Sequence, residues 1–209
     1  MQGQNKMVIN SFNSTDDQKN VYIKRRKQAK RKQLKIRDWQ SSSWDVNLER
    51  IAKEYAPKCV WVHNSGRGRT GENLYATTEK LNVEEGVRAW AREANYYTYE
   101  SMTCEKGKMC GHYTQVIWAT TDKVGCADQF CETVKGLPYK KLSFLVCNYL
   151  PPGNILYHKP YNKGTPCSEC PDGFTCHRNL CSEYPFVQHL VLFEYCCVPY
   201  VLRIILKMF

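Results

Sequence analysis

The sequence has no run of about 20 consecutive apolar residues, the length a helix needs to cross a bilayer. Its most apolar stretch, 183–209, is interrupted by Pro199 and carries Glu194, Arg203 and Lys207. Neither a membrane span nor the uncharged tail of a glycolipid anchor is expected there. The first 17 residues lack a basic segment followed by about 7–15 apolar residues, the pattern of a secretory leader. Internal repeats, a G-x-S-x-G elbow, a GxxxxGK[ST] phosphate loop and an HExxH helix are also missing. Their absence removes the usual signatures of serine hydrolases, P-loop enzymes and zinc proteases. Acidic residues are missing from 24–37, "KRRKQAKRKQLKIR", whose nine lysines and arginines account for nearly all of the net charge of +10. The rest of the chain is close to neutral, so the charge says little about the folded part's partners. No aromatic residue is interleaved in the basic run to stack on bases, and nucleic acid is not expected as a partner.

What the sequence has in quantity is cysteine, 12 in 209 residues. That density points to disulfides and an oxidising compartment, which outweighs the missing leader pattern. With 43% hydrophobic residues the chain is globular, long enough for one domain with a real core and a small module. Four regions are expected: a basic disordered leader over 1–40, a main domain over 41–160, a cysteine-rich module over 161–182, and an apolar irregular tail over 183–209.

Within the main domain, Leu48, Ile51, Ala52 and Tyr55 repeat at helical spacing. Asp45 or a serine before it can cap that helix, and Pro57 marks its end. Residues 62–78, "VHNSGRGRTGENLYATT", read as a loop. A second helix fits 82–97: Val83, Val87, Trp90, Ala94 and Tyr97 form one stripe, Glu93 lies at its edge, and Asn82 with Glu85 resembles a capping box. A short third helix begins at 111. Residues 123–131 and 142–150 read as strands, the second apolar on both faces and therefore central.

Four side chains could carry chemistry: His63 in "VWVHNSG", Glu72 in "TGENL", Glu93 in "WAREANYY" and His112 in "CGHYTQVIW". Two imidazoles and two carboxylates meeting in one cleft can hold a divalent metal or perform acid–base work. Their spacing equally allows each to be a structural hydrogen-bonding group where helices meet loops. Cys167-x2-Cys170 and Cys176-x4-Cys181 have roughly zinc-like spacing, although two disulfides are the better reading in an oxidised chain. Cys104 and Cys110 could bridge locally.

"GHYTQVIWATT" (111–121) and "FLVCNYLPPGNI" (144–155) resemble the two signature motifs of the CAP family, the cysteine-rich secretory, antigen 5 and pathogenesis-related proteins. "HN" followed by "GENL", then W-x-x-E closing on a tyrosine, continue the resemblance over about 44–182. It implies an α+β fold, a three-layer α-β-α sandwich with a central antiparallel sheet and a small disulfide-rich C-terminal module. It implies that His63, Glu72, Glu93 and His112 line one cleft where some members bind a divalent metal, so zinc at the His63/His112 pair is a possible cofactor, though none is required. It implies the pairs Cys59–Cys131, Cys126–Cys147, Cys104–Cys110, Cys167–Cys176 and Cys170–Cys181, with Cys196 and Cys197 outside the pattern. The family's first helix, with its H-N-x-x-R pattern, is missing, and the basic leader takes its place. The function implied is that of a secreted, extracellular, non-enzymatic protein that binds other proteins, a peptidase inhibitor. The alternatives are sterol or lipid binding, and a metal-dependent hydrolase using the four cleft residues.

Overall fold

The computed structural model describes residues 19, 20, 23, 42–177 and 179–182. A four-stranded sheet is built from β1 (Ser43–Trp44), β2 (Gly71–Thr77), β5 (Lys123–Thr133) and β6 (Lys140–Leu150), in the order β1-β5-β6-β2. β5–β6 and β2–β6 are antiparallel, and the short β1 is parallel to β5. β6 lies between two partners, as its two-sided apolarity predicts. Leu142, Phe144 and Val146 enter one core, and Leu145, Cys147 and Tyr149 enter the other. That division is the period of two that a pleated strand imposes.

Helix α1 (Val46–Tyr55) covers the first face with Ala52 and Tyr55. It starts where Asp45 accepts from the amides of Asn47 and Leu48, at 2.9 and 3.0 Å. Its first turn lies directly on β5: a Cβ on Gly125 would stand 2.1 Å from the backbone nitrogen of Glu49. Only glycine permits that approach. A 3-10 turn, Ala56–Lys58, ends the helix at Pro57, as expected.

Helices α2 (Val83–Arg92) and α3 (Gly111–Ile117) cover the second face through Val87, Trp90, Tyr113, Val116 and Ile117. The result is the α-β-α sandwich. α2 is shorter than its apolar stripe. It stops at Arg92, a 3-10 turn follows over Glu93–Tyr96, and Tyr97 already belongs to a small hairpin of β3 (Tyr97–Thr98) and β4 (Thr103–Cys104). Ala94 and Tyr97 still reach the core, so the stripe reflects burial beyond the helix. The expected capping box is not formed. Asn82 accepts from the amide of Glu84, and the Glu85 carboxylate pairs with Arg92 instead.

The segment 62–78, expected as a loop, contains edge strand β2. Its alternation, Leu74 and Ala76 to one face and Asn73 and Tyr75 to the other, is short and hidden behind glycines and polar residues. The leader also departs from a wholly disordered expectation. Lys19, Asn20 and Ile23 are helical, and Ile23 packs on the α2/α3 core. The other leader residues and the tail, including Cys196 and Cys197, lie outside the described residues.

Five disulfides tie the layers. Cys59–Cys131 closes a separation of 72 residues on the α1 side, worth about 4 kcal/mol in the chain-entropy account. Cys126–Cys147 joins directly opposed residues of β5 and β6. Cys104–Cys110 closes the loop before α3. Cys167–Cys176 and Cys170–Cys181 staple the hairpin of β7 (Thr175–His177) and β8 (Leu180–Ser182), which Leu180 anchors in the main core. Among the described residues no helix is long and apolar enough to cross a membrane.

Candidate functional site

The four sequence-derived side chains form two imidazole–carboxylate pairs. His63 Nδ1 lies 2.8 Å from Glu72 Oε1, and His112 Nδ1 lies 2.6 Å from Glu93 Oε1. An ionised carboxylate only accepts, so each Nδ1 carries the hydrogen, and in the neutral ring Nε2 is then the nitrogen with the lone pair. The His63 side chain is 55% exposed and that of His112 is 17% exposed, whereas the Glu72 side chain is fully buried.

Each carboxylate does more than hold a ring. Glu72 Oε1 also accepts from the Asn64 amide at 2.9 Å, and its Oε2 accepts from Asn148 Nδ2 at 3.4 Å. Glu93 Oε2 accepts from the amides of both His112 and Tyr113 at 3.1 Å. Glu93 is thus the N-terminal anchor of α3, where amides without helical partners favour a negative charge. Stopping α2 one residue earlier is what frees it for this role. Trp90 of α2 stacks on the His112 ring with centroids 6.2 Å apart, and its Nε1 donates to the Leu74 carbonyl at 3.0 Å.

The two pairs meet through β2. Glu72 faces the α1 side, and the next residue, Asn73, faces the α3 side. There Asn73 Nδ2 donates to the His112 carbonyl at 3.0 Å and to Tyr149 Oη at 3.2 Å. Successive residues of one strand therefore hold His63 by its carboxylate and His112 by its backbone. Among the described residues, no three of these four groups bring ligand atoms within 4.8 Å of one another. Each carboxylate meets its ring at Nδ1, which leaves Nε2 as the ring nitrogen it does not engage.

Sequence reasoning missed the polar residues that fix this arrangement: Asn64, Asn73, Gln115 and Asn148. Gln115 is buried, and its Oε1 accepts from the Gly153 amide at 3.0 Å. A Cβ on Gly71 would stand 2.1 Å from that same oxygen. Gly71, Gln115 and Gly153 thereby press β2, α3 and the 151–154 turn together. The signal available was polar side chains inside otherwise apolar segments, "GHYTQVIW" and "FLVCNYL", where an unsatisfied amide would be costly.

The other side of α3 borders a cavity of about 550 Å³, lined by Tyr97, Met102, Trp118, Ile155, Leu156 and Pro160 among others. Asn154 clamps its rim. Its Nδ2 donates to the Gly111 carbonyl at 2.9 Å, and its Oδ1 accepts from Thr114 Oγ1 at 2.6 Å. Burial pushes the Tyr97 phenol up, so the hydroxyl in the wall stays neutral at physiological pH.

The Cysteine-rich secretory protein family profile (CAP) matches residues 20–149, which includes part of the basic leader. Peptidase inhibitor 16 of Mus musculus is 50% identical over 139 residues, covering 66% of this chain and 28% of its own length. The chain thus spans less than a third of the length of that relative. The crystal structure of Na-ASP-1 superposes with a TM-score of 0.66 at 26% identity, over 78% of this chain and 46% of that one. NaASP2, crystallised with Zn2+, superposes with a TM-score of 0.60 at 22% identity, over 78% of this chain and 94% of that one. The profile match over more than half of the chain, the paired imidazoles and the stapled sandwich lead to one assignment: this chain belongs to the cysteine-rich secretory protein (CAP) family.

Proposed function

We propose that this chain is a secreted, non-catalytic binding domain that presents His63 and His112 in a shared cleft to a protein partner, and that it acts as a peptidase inhibitor. The observation that carries the reading is the commitment of both carboxylates. Glu72 and Glu93 spend their acceptor atoms on ring nitrogens, backbone amides and the Asn148 side chain, so neither carboxylate is placed to act directly as a general base toward a substrate. All ten cysteines among the described residues are in disulfides, so no thiol among the described residues accompanies the rings as a nucleophile. Five disulfides fit an extracellular setting. The inhibitor reading draws on the name of the mouse relative. A dose–response of the refolded chain against serine, cysteine, aspartic and metallo-peptidases tests it. Dose-dependent loss of activity in one class supports inhibition, and a flat response throughout removes it.

The donor set also suits a divalent cation. Metal-binding histidines commonly give their second ring N–H to a carboxylate, which fixes the tautomer and orients the free nitrogen. Zinc, present in the NaASP2 structure, would be held here by Nε2 of His63 and His112. A bound ion would supply a positive charge and open coordination positions to a partner's carboxylate or carbonyl oxygen.

A second reading rests on the cavity of about 550 Å³ beside α3, whose Met102, Trp118, Ile155 and Leu156 suit an apolar ligand such as a sterol or lipid. A sterol-exchange assay decides it. Transfer supports the reading, and none at micromolar protein counts against it.

A further inference from the structure

Two loops at the mouth of the cavity beside α3 hold large apolar side chains out in solvent. One is the turn 155–158. The His158 amide donates to the Ile155 carbonyl at 3.1 Å, and His158 Nδ1 donates to the Leu156 carbonyl at 2.9 Å. The turn is therefore closed from within, and Leu156 and Tyr157 stand at its tip, 78% and 91% exposed. Tyr157 has a φ of 63° at the third position of that turn, where glycine or asparagine is the ordinary choice. The second loop joins β3 to β4 and ends on exposed Met102, whose φ of 55° is another conformation that favours glycine. Large apolar residues thus occupy two positions where turn formation alone would select small or polar ones. Met102, Leu156 and Tyr157 line the cavity as well as being exposed, so the two tips share its rim. Exposed Ile155, in the same lining, and exposed Met109, next to the lining residue Cys110, extend the patch. Lysines stand beside it. Lys108 Nζ lies 4.8 Å from the centroid of the Tyr96 ring, and Lys159 and Lys163 Nζ lie 4.5 and 4.2 Å from that of Tyr99. With Lys106, four lysines in 99–110 and 155–163 outnumber two carboxylates, Glu100 and Glu105, and Glu100 is paired with Lys163.

We infer that this rim docks on an anionic lipid surface. Met102, Leu156 and Tyr157 enter the boundary between headgroups and acyl chains, and Lys106, Lys108 and Lys159 meet the headgroups. The residue mixture favours a bilayer over a protein partner. Lysine is depleted from protein–protein contacts, whereas at a bilayer its stem lies along apolar groups while its ammonium stays among the headgroups. Tyrosine, with an apolar body and a polar end, suits the same boundary. No spanning helix is needed, because apolar tips together with basic side chains give a peripheral, reversible attachment. The docking does not require a sterol in the cavity, and sterol-free vesicles keep its failure separate from that of the sterol reading.

The full chain is tested by co-sedimentation with sterol-free vesicles of phosphatidylcholine and phosphatidylserine. Insertion is read separately, as the extra quenching by brominated lipid that Tyr157→Trp shows over wild type. All variants keep the basic run 24–37, so its attraction to the vesicles is common to them. Leu156→Ser with Tyr157→Ser is expected to lower partitioning about tenfold or more. Lys106→Gln, Lys108→Gln and Lys159→Gln together should weaken it by a smaller factor and reduce its salt dependence. Val46→Ser with Phe130→Ser, exposed apolar residues elsewhere, should leave it unchanged. Tyr157→Trp should gain quenching. Equal partitioning of the Leu156/Tyr157 variant, no added quenching, or an equal loss in the Val46/Phe130 control would each overturn the inference. So would self-association that the Leu156/Tyr157 variant abolishes, without any vesicle binding by wild type.

Discussion

Asn73 Nδ2 donates to the backbone carbonyl of His112 across 3.0 Å, joining an edge strand to the helix that carries a site imidazole. The same amide reaches Tyr149 Oη, which is buried in the centre of the sheet. Asn73→Ala removes this donor from both the His112 carbonyl and Tyr149 Oη, and the loss of such hydrogen bonds costs about 0.5–1.5 kcal/mol each. Chemical denaturation is expected to show a loss in that range, with heteronuclear spectra reporting movement of His112. An unchanged midpoint together with an unmoved His112 signal contradicts the role given to Asn73.

Glu93→Gln keeps the shape of the α3 anchor and removes its charge. Three donors, two amides and one ring nitrogen, then face a neutral amide. The expected stability loss is about 1–2 kcal/mol. If His112 binds zinc, calorimetry should record affinity about 10–100-fold weaker, the usual effect of losing a carboxylate behind a metal-binding imidazole. Equal affinity in the two proteins would separate Glu93 from metal binding.

Gly125→Ala drives a methyl group to 2.1 Å from the backbone nitrogen of Glu49, which no side-chain rotation relieves. α1 must lift from β5, and a cost of about 3 kcal/mol or more is expected. Gly66→Ala is the control, since its Cβ would stand 3.4 Å from Asn64 Oδ1 in ordinary contact. Thermal unfolding of the two variants should differ by many degrees. Matching melting curves would contradict the close approach.

Glu49 sets an acid limit. Burial alone raises its pKa, but hydrogen bonds from Lys53 and Trp44 and the charges of Lys53 and Lys19 outweigh that and bring it from 4.5 to about 2. The folded state therefore binds this proton less readily than the unfolded chain. Its contribution to stability is complete above about pH 5 and is lost as pH falls through 4.5 toward 2. Wild type should lose stability across that window, and Glu49→Gln should show a shallower slope there with lower stability at pH 7. Identical slopes would remove Glu49 as the cause. Because Lys19 Nζ lies 3.4 Å from Glu49, Lys19→Ala should shift the window slightly upward.

Strong periodicity and motif residues made much of the fold legible. β6 announced itself by apolarity on both faces, and α1 by Leu48, Ala52 and Tyr55 with Asp45 ahead of them. β2 stayed hidden because its residues alternate between the two faces for only four positions, Asn73 to Ala76, behind a run of glycine, arginine and threonine. The end of α2 was hidden for another reason. Its stripe continues to Tyr97 because the chain stays against the core after the helical hydrogen bonds stop, and the stop itself answers a tertiary demand, the need of Glu93 to reach the amides of α3. The four site residues were visible as types and motifs. Their arrangement as two imidazole–carboxylate pairs was not, because it depends on a strand, β2, that the sequence did not reveal and that carries Glu72 and Asn73 side by side.

The account's central claim is that Glu72 and Glu93 fix both imidazoles with Nδ1 protonated and Nε2 free. Long-range proton–nitrogen correlation spectra of histidine-labelled protein, recorded near neutral pH with and without Zn2+, test it directly. Both His63 and His112 are expected as the Nδ1–H tautomer, and both Nε2 resonances are expected to move on adding one equivalent of zinc. An Nε2–H tautomer at either residue, or a zinc response confined to one ring, would contradict the claim.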